Sequence, residues 1–197
     1  MACTALTRGR NVDCNRISGG IKAVYFAVFD QITSITYDST AAPNQVREID
    51  DIDMGSNSLY RYMLPLGVSS LTDTIVGSRE NGTIYYTPTI NIIYNKLSRA
   101  DQAEISLLGA TKTVIFAQLN QQLANGHDVI VALGAVNGME LNAGTMDSGA
   151  AWGDRNGYTL TFDGLEALPF AFLEDYTTNP WDQSGFINEA GTFPTTS

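Results

Sequence analysis

The stretch Ile84-Tyr85-Tyr86-Thr87-Pro88-Thr89-Ile90-Asn91-Ile92-Ile93-Tyr94 restricts what this chain can become more than any other. β-branched and aromatic side chains crowd it, and these lose rotamer freedom in a helix but pack well on a pleated sheet. Just before it, Glu80-Asn81-Gly82-Thr83 is a turn signal of the kind that joins two extended runs. A strand this long needs neighbours to satisfy its backbone, so the chain is expected to be mainly β. Pro88 cannot donate to a ladder and is expected to mark an edge or a bulge.

Other segments repeat the pattern. Ile21 to Phe29 and Ile32 to Tyr37 read as two strands joined tightly at Asp30-Gln31, or as one strand with a bulge. Ser58 to Leu64 and Val68 to Val76 read as strands, with breaks at Gly55 and Pro65-Leu66-Gly67. Asp128 to Leu133 and Tyr158 to Asp163 follow the Asn125-Gly126 and Asn156-Gly157 turns. The alternation of large apolar and small polar residues in the latter implies one buried face. Gly134 to Arg155 is punctuated by glycine and reads as turns and loop.

One segment has helical chemistry. Ser98 is an N-cap residue with Asp101 three positions on, suited to the first-turn amides and the helix dipole. Ala100, Ala103, Leu107 and Leu108 lie close to one helical face, and Gly109 offers a stop. Thr111 to Leu119 reads as a strand, in competition with a helix over Thr111 to Leu123. The expected architecture is a β-sandwich or barrel of antiparallel strands, flanked by one α-helix at about residues 98–109. A single domain spans 21–175, between an N-terminal arm at 1–20 and a C-terminal extension at 176–197.

Composition narrows the function. The charged share is 16%, below the roughly 25% of ordinary soluble domains, so Ser, Thr, Asn, Gln and 18 glycines supply much of the polar surface. The net charge of −10 disfavours binding to nucleic-acid phosphates or an anionic membrane. The same acidity suits a channel wall along which a polyanion slides without being trapped. No window approaches the ~18 uninterrupted apolar residues of a membrane span, and Met1 to Gly20 carries charges where a signal peptide needs an apolar block. The chain is expected to fold in a cytoplasm, with Cys3 and Cys14 as free thiols.

No set of residues converges on catalysis. His127 is the sole histidine and falls in a turn, which leaves little for a triad or a His-rich metal site. No Walker or dinucleotide glycine pattern is present. The acidic run Glu48, Asp50, Asp51 and Asp53 lacks the ligand spacing of a calcium loop and reads as a solvated strand edge or loop. Neither a catalytic residue, a cofactor nor a metal site is expected. Trp152 and Trp181, in loop or extension, read as interface anchors.

The chain resembles the tail tube proteins of tailed bacteriophages. The resemblance rests on Cys3, Cys14 and Gly19-Gly20-Ile21-Lys22-Ala23-Val24-Tyr25-Phe26 near the start. It rests further on the order of strand, glycine turn, small-residue loop and closing strand through Asp128 to Gly138, Ser148 to Phe162 and Glu166-Ala167-Leu168-Pro169. It covers most of residues 15–175 and implies hexameric rings stacked into a hollow tube through which the genome passes. Its implied partners are other copies of the chain, other virion tail proteins, and passing DNA without specific binding; no membrane is implied. The implied location is the virion tail, assembled in the host cytoplasm. Unpatterned arms and open strand edges suit the heterologous contacts that ring closure needs. Expected contacts between subunits or with the lumen are Glu48, Asp50, Asp51, Asp53, Tyr60, Tyr62, Trp152 and Asp154, within Glu48 to Asp53, Gly55 to Tyr62 and Gly144 to Asn156, together with Trp181 in the C-terminal extension. A head-to-tail connector, terminator or baseplate component is an alternative role. A surface carbohydrate- or protein-binding module is an alternative of another class, and a hydrolase with paired carboxylates a third.

Overall fold

A computed structural model describes residues 17–38, 48–55, 57–176 and Trp181. Cys3 and Cys14 lie outside the described residues, as does most of both expected arms. Among the described residues the chain is mainly β, in two sheets with one α-helix.

The larger sheet contains β1 (Ile21–Val28), β2 (Ser34–Tyr37), β3 (Glu48–Asp53) and β4 (Tyr60–Met63). The smaller sheet holds β5 (Ser70–Ser78) and β6 (Thr83–Asn95), after which the chain forms helix α1 (Arg99–Leu108). It then returns to the larger sheet as β7 (Thr113–Gln122) and β8 (Asp128–Leu133). β9 (Glu140–Asp147) and β10 (Gly157–Asp163) complete the smaller sheet, and β11 (Ala171–Leu173) rejoins the larger one. The strand orders are β2-β3-β11-β8-β7-β1-β4 and β5-β6-β10-β9. All pairings are antiparallel except that of β11 with β3.

β1 and β2 are not a hairpin. A 3-10 turn at Phe29–Gln31 separates them, and β2 pairs only with β3 at the far side of the sheet. Five inter-strand spacings lie between β1 and β2, about 24 Å in a flat sheet. The linker from Val28 to Ser34, half of it in the 3-10 turn, reaches only about 16 Å. The larger sheet must therefore curl.

Two cores result. Inside the curl, Ala23, Tyr25 and Ala27 of β1 meet Ile49 and Ile52 of β3, Phe116 of β7, Ile130 of β8 and Leu173 of β11. Between the sheets, Val24 and Phe26 meet Ile115, Val131 and Leu133 from one side and Ile90, Ile92, Tyr158, Leu160 and Phe162 from the other. The period-two alternation of β1, β7 and β8 thus feeds a core on each face, which is why Ala23 to Ala27 has no exposed residue. Each large apolar side chain so buried stabilises the fold by roughly 1.5–3 kcal/mol.

In α1, Ser98 accepts a hydrogen bond from the Asp101 amide at 3.1 Å, and its hydroxyl donates to the Asp101 carboxylate at 2.6 Å. The packing face differs from the one expected: Ile105 and Leu108 lean on the inter-sheet core, while Ala100, Ala103 and Leu107 are exposed. Pro88 lies in β6, an interior strand, where the ladder with β10 is interrupted. Pairing resumes two residues on, where Tyr86 and Glu166 exchange backbone hydrogen bonds of 2.8 and 2.9 Å.

Candidate assembly surface

The smaller sheet has one face in the core and an outer face that is half-buried on its inner strands and exposed on its border strands. On β6 and β10, the residues alternating with buried Ile90, Ile92, Leu160 and Phe162 are Thr89, Asn91, Ile93, Thr159 and Thr161. Cross-strand register continues this face as Thr72 and Ser70 on β5 and as Thr145 and Ala143 on β9. None of the four strands carries a Lys or Arg, and their only charges are Asp73, Glu140, Asp147 and Asp163. Thr and Asn side chains offer no cation, but the Arg155 guanidinium, from the β9–β10 loop, lies against one end of this face and donates to the Thr159 hydroxyl at 2.6 Å and the Tyr158 carbonyl at 2.9 Å.

Both borders of the sheet are long and open. β5 and β9 are its outer strands, and among the described residues neither pairs on its outer side. Edge strands that must stay solitary usually carry Lys, Pro or a bulge. β5 reads Ser-Leu-Thr-Asp-Thr-Ile-Val-Gly-Ser and has none of these; β9 has no Lys or Pro but carries a bulge at Asn142. Three successive antiparallel pairings, β5 to β6, β6 to β10 and β10 to β9, make the two outer strands run in opposite directions.

The β9–β10 loop is built around Asp154, whose carboxylate accepts from the amides of Ala150 and Ala151 at 3.0 and 2.7 Å. Those bonds hold its carboxyl below the ordinary value. Gly149 enters the loop with φ +71°, and a Cβ there would sit 2.8 Å from the Cβ of Asp154. At the tip Trp152 is fully exposed, at 107%. The loop is fastened behind by Asn156, whose backbone and side-chain oxygens accept from Lys96 and Leu97, and by Tyr158, whose hydroxyl bonds both Ser98 backbone groups.

Tyr60 and Tyr62 lie on β4, the edge of the larger sheet beside α1. Tyr62 is half-buried, with its ring 5.4 Å from Phe26 and 5.7 Å from Tyr94. Burial, then the nearby charges of Glu104 and Asp101, pushes its hydroxyl up to about 12. The two tyrosines border an apolar groove of about 210 Å³, with Phe26, Val28, Leu107 and Leu108 as its walls and Glu104 on its rim.

The acidic run is not an open edge. Glu48, Asp50, Asp51 and Asp53 are on β3, which is paired on both sides by β2 and β11. A register shift opposite Asp50 turns Ile49 and Ile52, three residues apart, into the same core. Glu48 is half-buried near Asp38, Glu174 and Asp175; burial first, then Asp175, Asp38, Asp50 and Glu174, raise its carboxyl above the ordinary value. Asp53 accepts from the Gly55 amide at 2.8 Å. The next segment is tied to its own chain by buried Met54 and Leu59 and by Asn57, whose side-chain amide donates to Gln31 and Met54 carbonyls.

Trp181 is not a surface anchor: it is 6% exposed and fills the core inside the curl. Of the expected residues, the fold places Trp152 with Asp154 on one loop and Tyr60 with Tyr62 on one groove, and keeps the acids apart from both. The Thr/Asn face was missed as a unit, although its signal is the alternation in β10. β9 was missed because Glu140 to Asp147 holds few strand formers and owes its form to pairing with β10.

A cleft of about 590 Å³ is lined by Thr87, Lys112, Asn137, Gly138, Glu140, Asp163, Gly164 and Leu165, and Lys112 pairs with Glu140 at 3.6 Å. No histidine, serine or cysteine lines it, and His127 stacks elsewhere against Tyr176 at 4.9 Å. Among the described residues no three His, Cys, Asp or Glu side chains are grouped as metal ligands, and no helix is long and apolar enough to cross a membrane. Compared with known proteins, the chain matches no family model, no curated protein and no solved structure.

Proposed function

We propose that this chain is a self-assembling structural subunit whose smaller sheet joins edge to edge with other copies into a closed wall. Its particular role, in this reading, is that of a tail tube protein of a tailed phage. Rings, with six copies the expected number, stack into the hollow conduit through which DNA leaves the virion. The observation that carries the reading is the smaller sheet itself, with two outer strands of opposite direction, neither carrying Lys or Pro, and no Lys or Arg in any of its four strands.

When β9 of one copy meets β5 of the next under rotation about a common axis, the strands run antiparallel, and alternation continues across the junction. One edge thus differs from the other, as a heterologous ring requires. The Thr/Asn face then lines the bore, where strands without Lys or Arg do little to hold passing DNA, and Arg155, already bonded to Thr159, is the one guanidinium against them. A connector or terminator ring would use the same surfaces and differs in copy number per particle.

The test combines mass photometry and negative-stain microscopy with two edge variants, Thr74→Lys on β5 and Thr145→Lys on β9, both at exposed positions. Wild type is expected to form rings or tubes, and each variant a folded monomer. Mixed together, the variants should give one-to-one pairs through the undamaged edge of each. Homodimers of either variant, or a wild type that stays monomeric at all concentrations, would overturn the reading.

A further inference from the structure

We infer that Trp152 of one copy seats in the groove between α1 and β4 of the next ring's copy. The contact rests on the assembly reading above and adds to it a knob and a hole.

The knob is costly to leave in water. An exposed tryptophan at a loop tip forgoes the burial of roughly 150–250 Å² available to a large aromatic side chain. The loop beneath it is nevertheless prearranged, by the two amide bonds to Asp154, the positive φ of Gly149 and the fastening of Asn156. Prearrangement lowers the ordering cost of binding, which is how interface anchors gain affinity.

The hole matches it in size and chemistry. At about 210 Å³ the groove is below the ~300–1,000 Å³ of small-molecule sites and suits a single large side chain. Phe26, Val28, Leu107 and Leu108 supply apolar walls, and Tyr60 and Tyr62 supply aromatic edges. On the rim the Glu104 carboxylate is an acceptor for an indole N–H, the one polar group tryptophan brings. Glu104 and Asp101 make the groove's surroundings negative, and the Trp152 loop brings no carboxylate of its own free to oppose them, since Asp154 is held by the Ala150 and Ala151 amides.

Position completes the case. The loop is bonded to Lys96, Leu97 and Ser98, at the N-terminal end of α1. The groove takes Glu104, Leu107, Leu108 and Thr111, at the C-terminal end. Knob and hole are therefore at opposite ends of one helix, about 15 Å long. A contact between different patches of one chain does not close on itself as a two-fold dimer does, and propagates along an axis. One tryptophan buries far less than the roughly 1,200 Å² of a stable interface, so it acts as one anchor repeated around each ring.

The experiment uses the full chain, with acrylamide quenching of tryptophan fluorescence beside sedimentation and microscopy. Buried Trp181 is an internal reference. In dilute monomer Trp152 should be freely quenched, and in stacked rings it should be protected. Trp152→Ala and, separately, the exposed groove variant Leu107→Gln should each raise the concentration needed for stacking at least tenfold while rings still close. Their combination should cost little more than either alone. Tubes whose Trp152 remains freely quenched, or that form equally well with Trp152→Ala, overturn this inference and leave the ring reading intact. Protection of Trp152 in open fibres without rings keeps the knob-and-hole contact and removes the ring. A strict monomer overturns both.

Discussion

The indole of Trp181 stands 4.8 Å from the ring of Tyr25 and 5.5 Å from that of Phe116, at the heart of the core inside the curled sheet. Three aromatic side chains from three distant parts of the chain close that core. Replacing Trp181 by Ala should cost about 3–5 kcal/mol in chemical denaturation. Replacing Trp152, the other tryptophan, should change the monomer's stability by no more than about 0.5 kcal/mol. Equal effects would mean that residue 181 does not close the core.

Gly157, the first residue of β10, has no room for a side chain. A Cβ there would lie 1.9 Å from the Tyr94 carbonyl oxygen. Gly157→Ala must push β6 and β10 apart where the β9–β10 loop ends, at an expected cost of more than about 2 kcal/mol. Thermal unfolding of the soluble fraction measures it. Gly82→Ala at the exposed β5–β6 turn has no such clash and should cost less, through its φ of +62° alone.

Glu48 gives the fold a pH dependence of definite sign. Its carboxyl is raised in the folded chain, so the folded state holds the proton more tightly than the unfolded one. The resulting destabilisation is present above the raised value, fades as pH falls through it, and is gone below the ordinary 4.5. Glu48→Gln should therefore stabilise the protein near pH 7 by about 0.3–1 kcal/mol, discounted for partial exposure, and leave it unchanged near pH 4. A variant less stable than wild type at pH 7 would contradict this.

Asp154 has the opposite sign. Its carboxyl is lowered by the Ala151 and Ala150 amides, so its hold on the loop is present above the ordinary 3.8 and lost only as pH falls through the lowered value. Asp154→Ala should free the loop at neutral pH while leaving global stability unchanged. Time-resolved anisotropy of Trp152 should then show faster local motion, at an unaltered unfolding midpoint.

Much of the fold was legible where one local signal was strong. β6 follows from its β-branched and aromatic run, and α1 from Ser98 and Asp101. β7 won over the competing helix because Val114 to Ala117 fills both cores. What escaped depends on pairing at a distance. β11 is three residues long and exists because β8 and β3 flank it. Ile49 and Ile52 reach one core only through the bulge at Asp50. The burial of Trp181 needs a curled sheet, and the curl follows from the short β1–β2 linker only once strand order is known. On the proposed assembly surface, Trp152 was legible as a loop residue, whereas the groove proposed to take it unites β1, β4 and α1.

The even number of strands in the smaller sheet has a bearing on ring size. A repeat of four alternating strands can be joined to itself any number of times without two neighbours ever running in the same direction. Backbone bonding at the seam is thus satisfied by five copies, six or seven alike. The count in a closed wall would be decided by the wedge angle between adjacent bodies, set by the side chains behind the sheet. Substitutions there should be able to change the bore of such a proposed tube without opening it.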